Sequence, residues 1–86
     1  MTVQALRFLH PNKICICQPT LWGDNGRVVD WHCVRVVDDI EAARTVIARL
    51  ELDNWRDLVA IPTSEEITIE GDLTARFCRV YYGMRW

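Results

Sequence analysis

The stretch Lys13-Ile14-Cys15-Ile16-Cys17-Gln18, "KICICQ", sets four apolar residues in a row between two polar ones. A strand with one wet face alternates apolar and polar side chains, because successive residues point to opposite sides. This run does not alternate. Both of its faces are therefore expected to be covered, which makes it a central strand of a sheet. Its two cysteines admit three readings: metal ligands, a reactive thiol pair, or core filler.

On the N-terminal side, "TVQALRFLH" reads as a short extended run with Val3, Ala5 or Leu6, Phe8 and Leu9 as its apolar residues. His10-Pro11-Asn12 closes it, since proline restricts the residue before it to extended backbone and marks a turn. On the C-terminal side, "PTLWGDNGR" is dense in turn formers, and Asn25-Gly26 tolerates the positive φ of a tight hairpin turn. "RVVDWHCVRVV", the longest β-branched run, returns as the second arm of that hairpin.

Beyond the hairpin, Asp38 stands three residues before Glu41, the spacing of a capping box. Ile40, Ala43, Ile47 and Leu50 then recur at helical spacing with Val46 widening the stripe, so one amphipathic helix is expected. "LDNWRDLVAIP" fits a helical turn around Asn54 to Asp57, a short strand at Leu58 to Ile61 before Pro62, or both. "EEITIE" alternates, with Ile67 and Ile69 on one face and Glu66, Thr68 and Glu70 on the other, and a three-residue loop at Gly71 to Leu73, preferred over a two-residue turn, leads into the rest of "LTARFCRVYY". The expected architecture is a single α+β domain over residues 1–86. It is an antiparallel sheet of about four to five strands with one amphipathic helix packed on one face.

Composition sets the class. Half of the 86 residues are apolar and 26% are charged, enough for one packed core and too apolar for disorder. No run approaches the roughly 20 apolar residues of a membrane-spanning helix, and the N-terminus lacks the pattern of a secretion signal, so a cytoplasmic protein with no membrane partner is expected. The net charge of −2 conceals an asymmetry: residues 38 to 72 carry ten acids against three bases, and the rest carries seven bases against two acids. Such a chain can present an acidic surface from its middle and basic surfaces from its ends.

Cys15 and Cys17, on one face of a strand, stand about 6.5 to 7 Å apart along the chain. A disulfide needs Cβ atoms near 3.8 Å, which excludes a bridge between those two. The Cys-x-x-Cys turn of a zinc site is absent, and Cys15, Cys17, Cys33 and Cys78 all fall within predicted strands, where small hydrophobes pack. The cysteines are thus expected to be core, with no metal and no cofactor. A Cys-His pair such as Cys33 or Cys78 with His10 would sit mid-strand, away from the exposed setting that reactive thiols use, and His32 and Cys33 should point to opposite faces. No phosphate-cradling glycine loop, nucleophile elbow or metalloprotease helix occurs, so no catalytic residue is assigned and the chain is expected not to be an enzyme.

Binding remains. Trp31 is expected in the core, whereas Trp22 lies in the turn-rich hairpin loop, and Tyr82, Arg85 and Trp86 end the chain with the composition of interface hot spots. The competing reading of the tail is that Trp86 plugs the core. Arg76, Arg79 and Arg85 interleave with Phe77, Tyr81, Tyr82 and Trp86 as in surfaces that stack bases. The mildly acidic total opposes phosphate binding, which leaves a nucleic-acid-binding domain, like a Cys/His metal-binding one, as an alternative. The acids point the other way: Asp38, Asp39, Glu41, Glu51, Asp53, Asp57, Glu66 and Glu70 together could dock on a partner's basic groove. In size, helix-on-sheet build and acidic composition the chain resembles the small phage-encoded inhibitors of bacterial antiviral defence, the anti-CRISPR proteins. That resemblance implies a non-enzymatic protein that blocks a nucleic-acid-binding complex. Its partner would be another protein or a protein–nucleic acid complex, with homodimerisation as a further option.

Overall fold

The computed structural model describes residues 1–24, 26 and 28–64. Two helices and three strands follow in the order α1 (Val3–Leu9), β1 (Ile14–Trp22), β2 (Val28–Val37), α2 (Ile40–Leu52) and β3 (Val59–Pro62). The strands form an antiparallel sheet in the order β2-β1-β3. The "KICICQ" segment is thus in the central strand, and Ile14, Cys15, Ile16 and Cys17 are all fully buried.

Alternation divides those four residues between two core layers. Ile14 and Ile16 pack with Ala43, Ile47 and Leu50 of α2 and with Leu58 and Ala60. Cys15 and Cys17 pack on the opposite side with Leu6 of α1, Val28 and Trp31 of β2, and Val59 and Ile61 of β3. A helix on each face is what permits a strand with no polar side.

The expectation for the N-terminal run is corrected: residues 3–9 are helical, not extended. Thr2 caps the helix by accepting a hydrogen bond from the Ala5 amide at 3.1 Å. Val3 and Leu6, three residues apart, then face the sheet together. Phe8 and Leu9, whose apolar character suggested a strand, are exposed instead. The backbone of Met1 pairs with β2: its ammonium donates to the Trp31 carbonyl at 2.7 Å, and the Trp31 amide donates to the Met1 carbonyl at 2.8 Å. A second helix thus replaces the expected first strand, so that a helix lies on each face of the sheet where one helix on one face was expected. The strands expected within residues 66–70 and 73–82 lie outside the described residues.

Helix α2 buries the anticipated stripe of Ala43, Ile47 and Leu50, flanked by Ile40 and Val46. Its cap differs from the expectation. Asp39, not Asp38, accepts from the Ala42 amide at 2.8 Å, while Asp38 pairs with the Lys13 ammonium across the sheet end. Asp39→Ala should therefore cost about 1 kcal/mol, lowering the melting midpoint by roughly 4 to 8 °C for a domain of this size. Asp38→Ala, which breaks only an exposed ion pair, should leave the midpoint nearly unmoved. Paired thermal melts of the two variants would separate the roles, and equal effects would contradict the assignment.

The helix ends in a Schellman turn. The Asn54 amide bonds the Glu51 carbonyl and the Trp55 amide bonds the Leu50 carbonyl, both at 3.1 Å. Asn54 takes the required left-handed conformation at φ 69°. Trp55 folds back against the α2 layer, where its ring stacks on His32 of β2 at 6.5 Å between centroids. The ambiguous "LDNWRDLVAIP" thus resolves into a helix stop followed by a strand. At the other end of β3, the Thr63 hydroxyl accepts from the Lys13 amide at 2.9 Å and donates to the His10 carbonyl at 2.7 Å, tying the end of α1 to the sheet.

Candidate functional site

Burial along β1 falls from complete at Ile14–Cys17 to exposed at Thr20–Trp22. The β1–β2 hairpin therefore runs past the two helices that sandwich its base. The register explains the change: the pairing shifts between Ile16 and Cys17, between Pro19 and Leu21, and again between Leu21 and Trp22. Each such irregularity bends the ribbon and increases its twist. Pro19 contributes, since it has no amide to give to a ladder. Gly26 closes the turn at φ 78°, where its amide bonds the Gly23 carbonyl at 3.1 Å.

At this end of the sheet three large apolar side chains are exposed. Leu21 is 57% exposed, Trp22 54% and Val29 47%. Leu21 pairs with Asp30 and Trp22 with Val28, so Val29 bulges between the two pairs. Trp31, two residues further along β2, is by contrast 2% exposed, as expected of a core tryptophan. An exposed aromatic beside exposed aliphatics on a hairpin has the makeup of a contact surface, because its desolvation by a partner is favourable.

The acids fall into two groups. Asp38, Asp39 and Glu41 are exposed at the start of α2, and Glu51, Asp53 and Asp57 are exposed at its end and in the segment that follows. At 1.5 Å per residue the helix holds the two groups roughly 20 Å apart, and between them its outer face shows Arg44 and Arg49. The acids therefore form two separate patches, one at each end of α2. The first group sits where negative charge stabilises a helix and needs no further explanation. The second sits at the negative end of the helix dipole, where it opposes the helix. Leu52, in its midst, is 85% exposed, and Asp57 holds a left-handed backbone at φ 58°. Glu66, Glu70, Tyr82, Arg85 and Trp86 lie outside the described residues.

The thiols of Cys15 and Cys17 are both fully buried. Burial, reinforced by the neighbouring Cys33 sulfur, pushes the Cys15 thiol up to about 12 and raises that of Cys17 as well. Both thiols are thereby held mostly in the protonated form near neutral pH, which slows their reaction as nucleophiles. His32 and Cys33 do point to opposite faces, His32 to Trp55 and Cys33 to the cysteine layer. Among the described residues no three of His, Cys, Asp and Glu are arranged to hold a metal ion. Among the described residues Asp30 is the one carboxyl with a clear shift, held below the usual carboxylate range chiefly by its hydrogen bond to the Met1 ammonium.

Sequence reasoning found Trp22 but missed its companions Leu21 and Val29, since both looked like ordinary strand residues. The available signal was Pro19, which weakens the ladder midway along β1. Among the described residues no helix is long and apolar enough to cross a membrane. Comparison of the chain with known protein families, with characterised proteins and with solved structures finds no match.

Proposed function

We propose that this chain is a non-enzymatic protein-binding module that seats the outer end of its β1–β2 hairpin in another protein. The observation that carries this reading is the joint exposure of Leu21, Trp22 and Val29 beyond the sandwiched core. Burying about three such side chains supplies several kcal/mol of hydrophobic driving force, and a single central tryptophan often dominates an interface.

The acids at the far end of α2 favour a partner with a basic surface. The Asp53 and Asp57 carboxylates lie past the last turn of α2, where negative charge opposes the helix, and Leu52 beside them is exposed. Basic surfaces that accept such a patch are those that bind nucleic-acid phosphates. The reading is therefore an inhibitor that occupies a nucleic-acid-binding complex, as the likeness to anti-CRISPR proteins implies.

Tagged wild-type chain and two variants, Leu21→Ser/Trp22→Ala and Asp53→Asn/Asp57→Asn, are to be compared in pull-downs from host lysate. Asn is chosen at position 57 because it tolerates positive φ as Asp does. The expected outcome is a nucleic-acid-binding protein retained by wild type, lost by the hairpin variant, weakened at least tenfold by the acid variant, and competed off by added nucleic acid. Equal retention by all three chains, or a partner indifferent to competing nucleic acid, would count against the reading. So would concentration-dependent dimerisation that the hairpin variant abolishes, because a second copy would then be the occupant.

A further inference from the structure

Cys33 is the third thiol of the cysteine layer, and it differs from the other two. It lies on β2, half-buried where Cys15 and Cys17 are fully buried. It stands directly opposite Cys17 in the β1–β2 register. Both side chains enter the same core layer, beside Leu6 and Trp31.

Residues directly opposite on antiparallel strands have Cα atoms about 4.5 to 5.5 Å apart. That range lies inside the roughly 4.4 to 6.8 Å that a disulfide spans. Among the described residues the other pairings fit less well. Cys15 stands opposite Val36, so although its sulfur lies near that of Cys33, its backbone is only a diagonal neighbour about 7 to 8 Å away, beyond the usual span of a disulfide. Cys15 and Cys17 are neighbours on one strand with nearly parallel side chains.

We propose that Cys17 and Cys33 form a reversible cross-strand disulfide, with Cys33 as the thiol that first attacks a low-molecular-weight disulfide of the glutathione type. Exposure sets the order of events. The Cys33 thiolate attacks one sulfur of the small disulfide, so that a mixed disulfide forms on Cys33 and the first thiolate leaves, taking up the proton Cys33 lost. Cys17 then gives up its proton and its sulfur attacks Cys33 Sγ. The bond to the small thiol breaks, and a second small thiol departs with the Cys17 proton. The two cysteines are oxidised and the small disulfide is reduced to two thiols. The second step is the slower one, because burial disfavours the Cys17 thiolate. The product clamps the base of the hairpin whose outer end is exposed.

The experiment uses the full chain, folded, incubated with oxidised glutathione, then acid-quenched, alkylated and mapped by mass spectrometry without reduction. The expected result is a peptide pair linking Cys17 to Cys33, reversed by dithiothreitol. Cys17→Ala should stop at a glutathione adduct on Cys33, Cys33→Ser should lose the reaction, and Cys15→Ala should form the same bridge as wild type. A wild-type bridge that uses Cys15 or Cys78 would overturn the proposal. An adduct on wild-type Cys33 that never resolves, or folded chain left fully reduced, would do so equally. Because the wild-type map alone decides, a variant that fails to fold does not blunt the test.

Discussion

Trp31→Ala is expected to leave a large part of the protein unfolded at room temperature. The indole is 2% exposed and fills the layer between α1 and the sheet, among Leu6, Cys15, Cys17 and Val59. Truncating a buried aromatic costs about 3 to 5 kcal/mol, through lost transfer energy and the cavity left behind. A chain of this length has only about 4 to 13 kcal/mol in total. Urea denaturation followed by far-UV circular dichroism measures the loss directly. The contrasting variant is Trp22→Ala, whose ring is 54% exposed, and it should change the midpoint little. Two tryptophans nine residues apart on one hairpin thus separate stability from binding. A small loss at Trp31, below about 1 kcal/mol, would mean that the α1 layer is not part of the cooperative core.

Leu6→Ala is expected to cost about 2 to 5 kcal/mol and to open the cysteine layer. Leu6 is the one fully buried side chain of α1, a helix of seven residues. A helix so short has no stability of its own, so its place depends on that anchor and on the pairing of Met1 with Trp31. Once the anchor is cut, α1 should detach before the sheet unfolds. The readout is thiol labelling under native conditions. Wild type should react quickly at Cys33 and slowly at Cys15 and Cys17, whereas Leu6→Ala should speed labelling of Cys15 and Cys17 by at least tenfold. Faster unfolding with no preferential exposure of those two thiols would show that α1 and the sheet form one inseparable unit.

Both expectations follow from how the core is layered, and that layering was only half visible in the amino-acid sequence. The four-residue apolar run at Ile14–Cys17 announced a strand buried on two faces, and the stripe from Ile40 to Leu50 announced the helix on one of them. The helix on the second face was hidden. Val3, Leu6, Phe8 and Leu9 fit a strand nearly as well as a helical turn, because seven residues are too few for the two periods to diverge. Capping by Thr2 favours the helix locally, and burial of Leu6 broke the tie, a contact that does not exist until the sheet is there to receive the helix.

The candidate site divides in the same way. Residue identity already marked Trp22 as an aromatic in a turn-rich loop and residues 38 to 72 as acid-rich. Local chemistry also set the hairpin turn at Gly26 and the extended reading of β1 and β2, since these depend on neighbours in the chain. Which aromatic is buried and which thiol faces solvent depend on residues far apart in the chain. Trp31 is core because Leu6 and Val59 meet it, and Trp22 is surface because three shifts in strand register carry the hairpin past its helices. Periodicity records what a segment prefers, and only packing against distant segments selects the face that is covered.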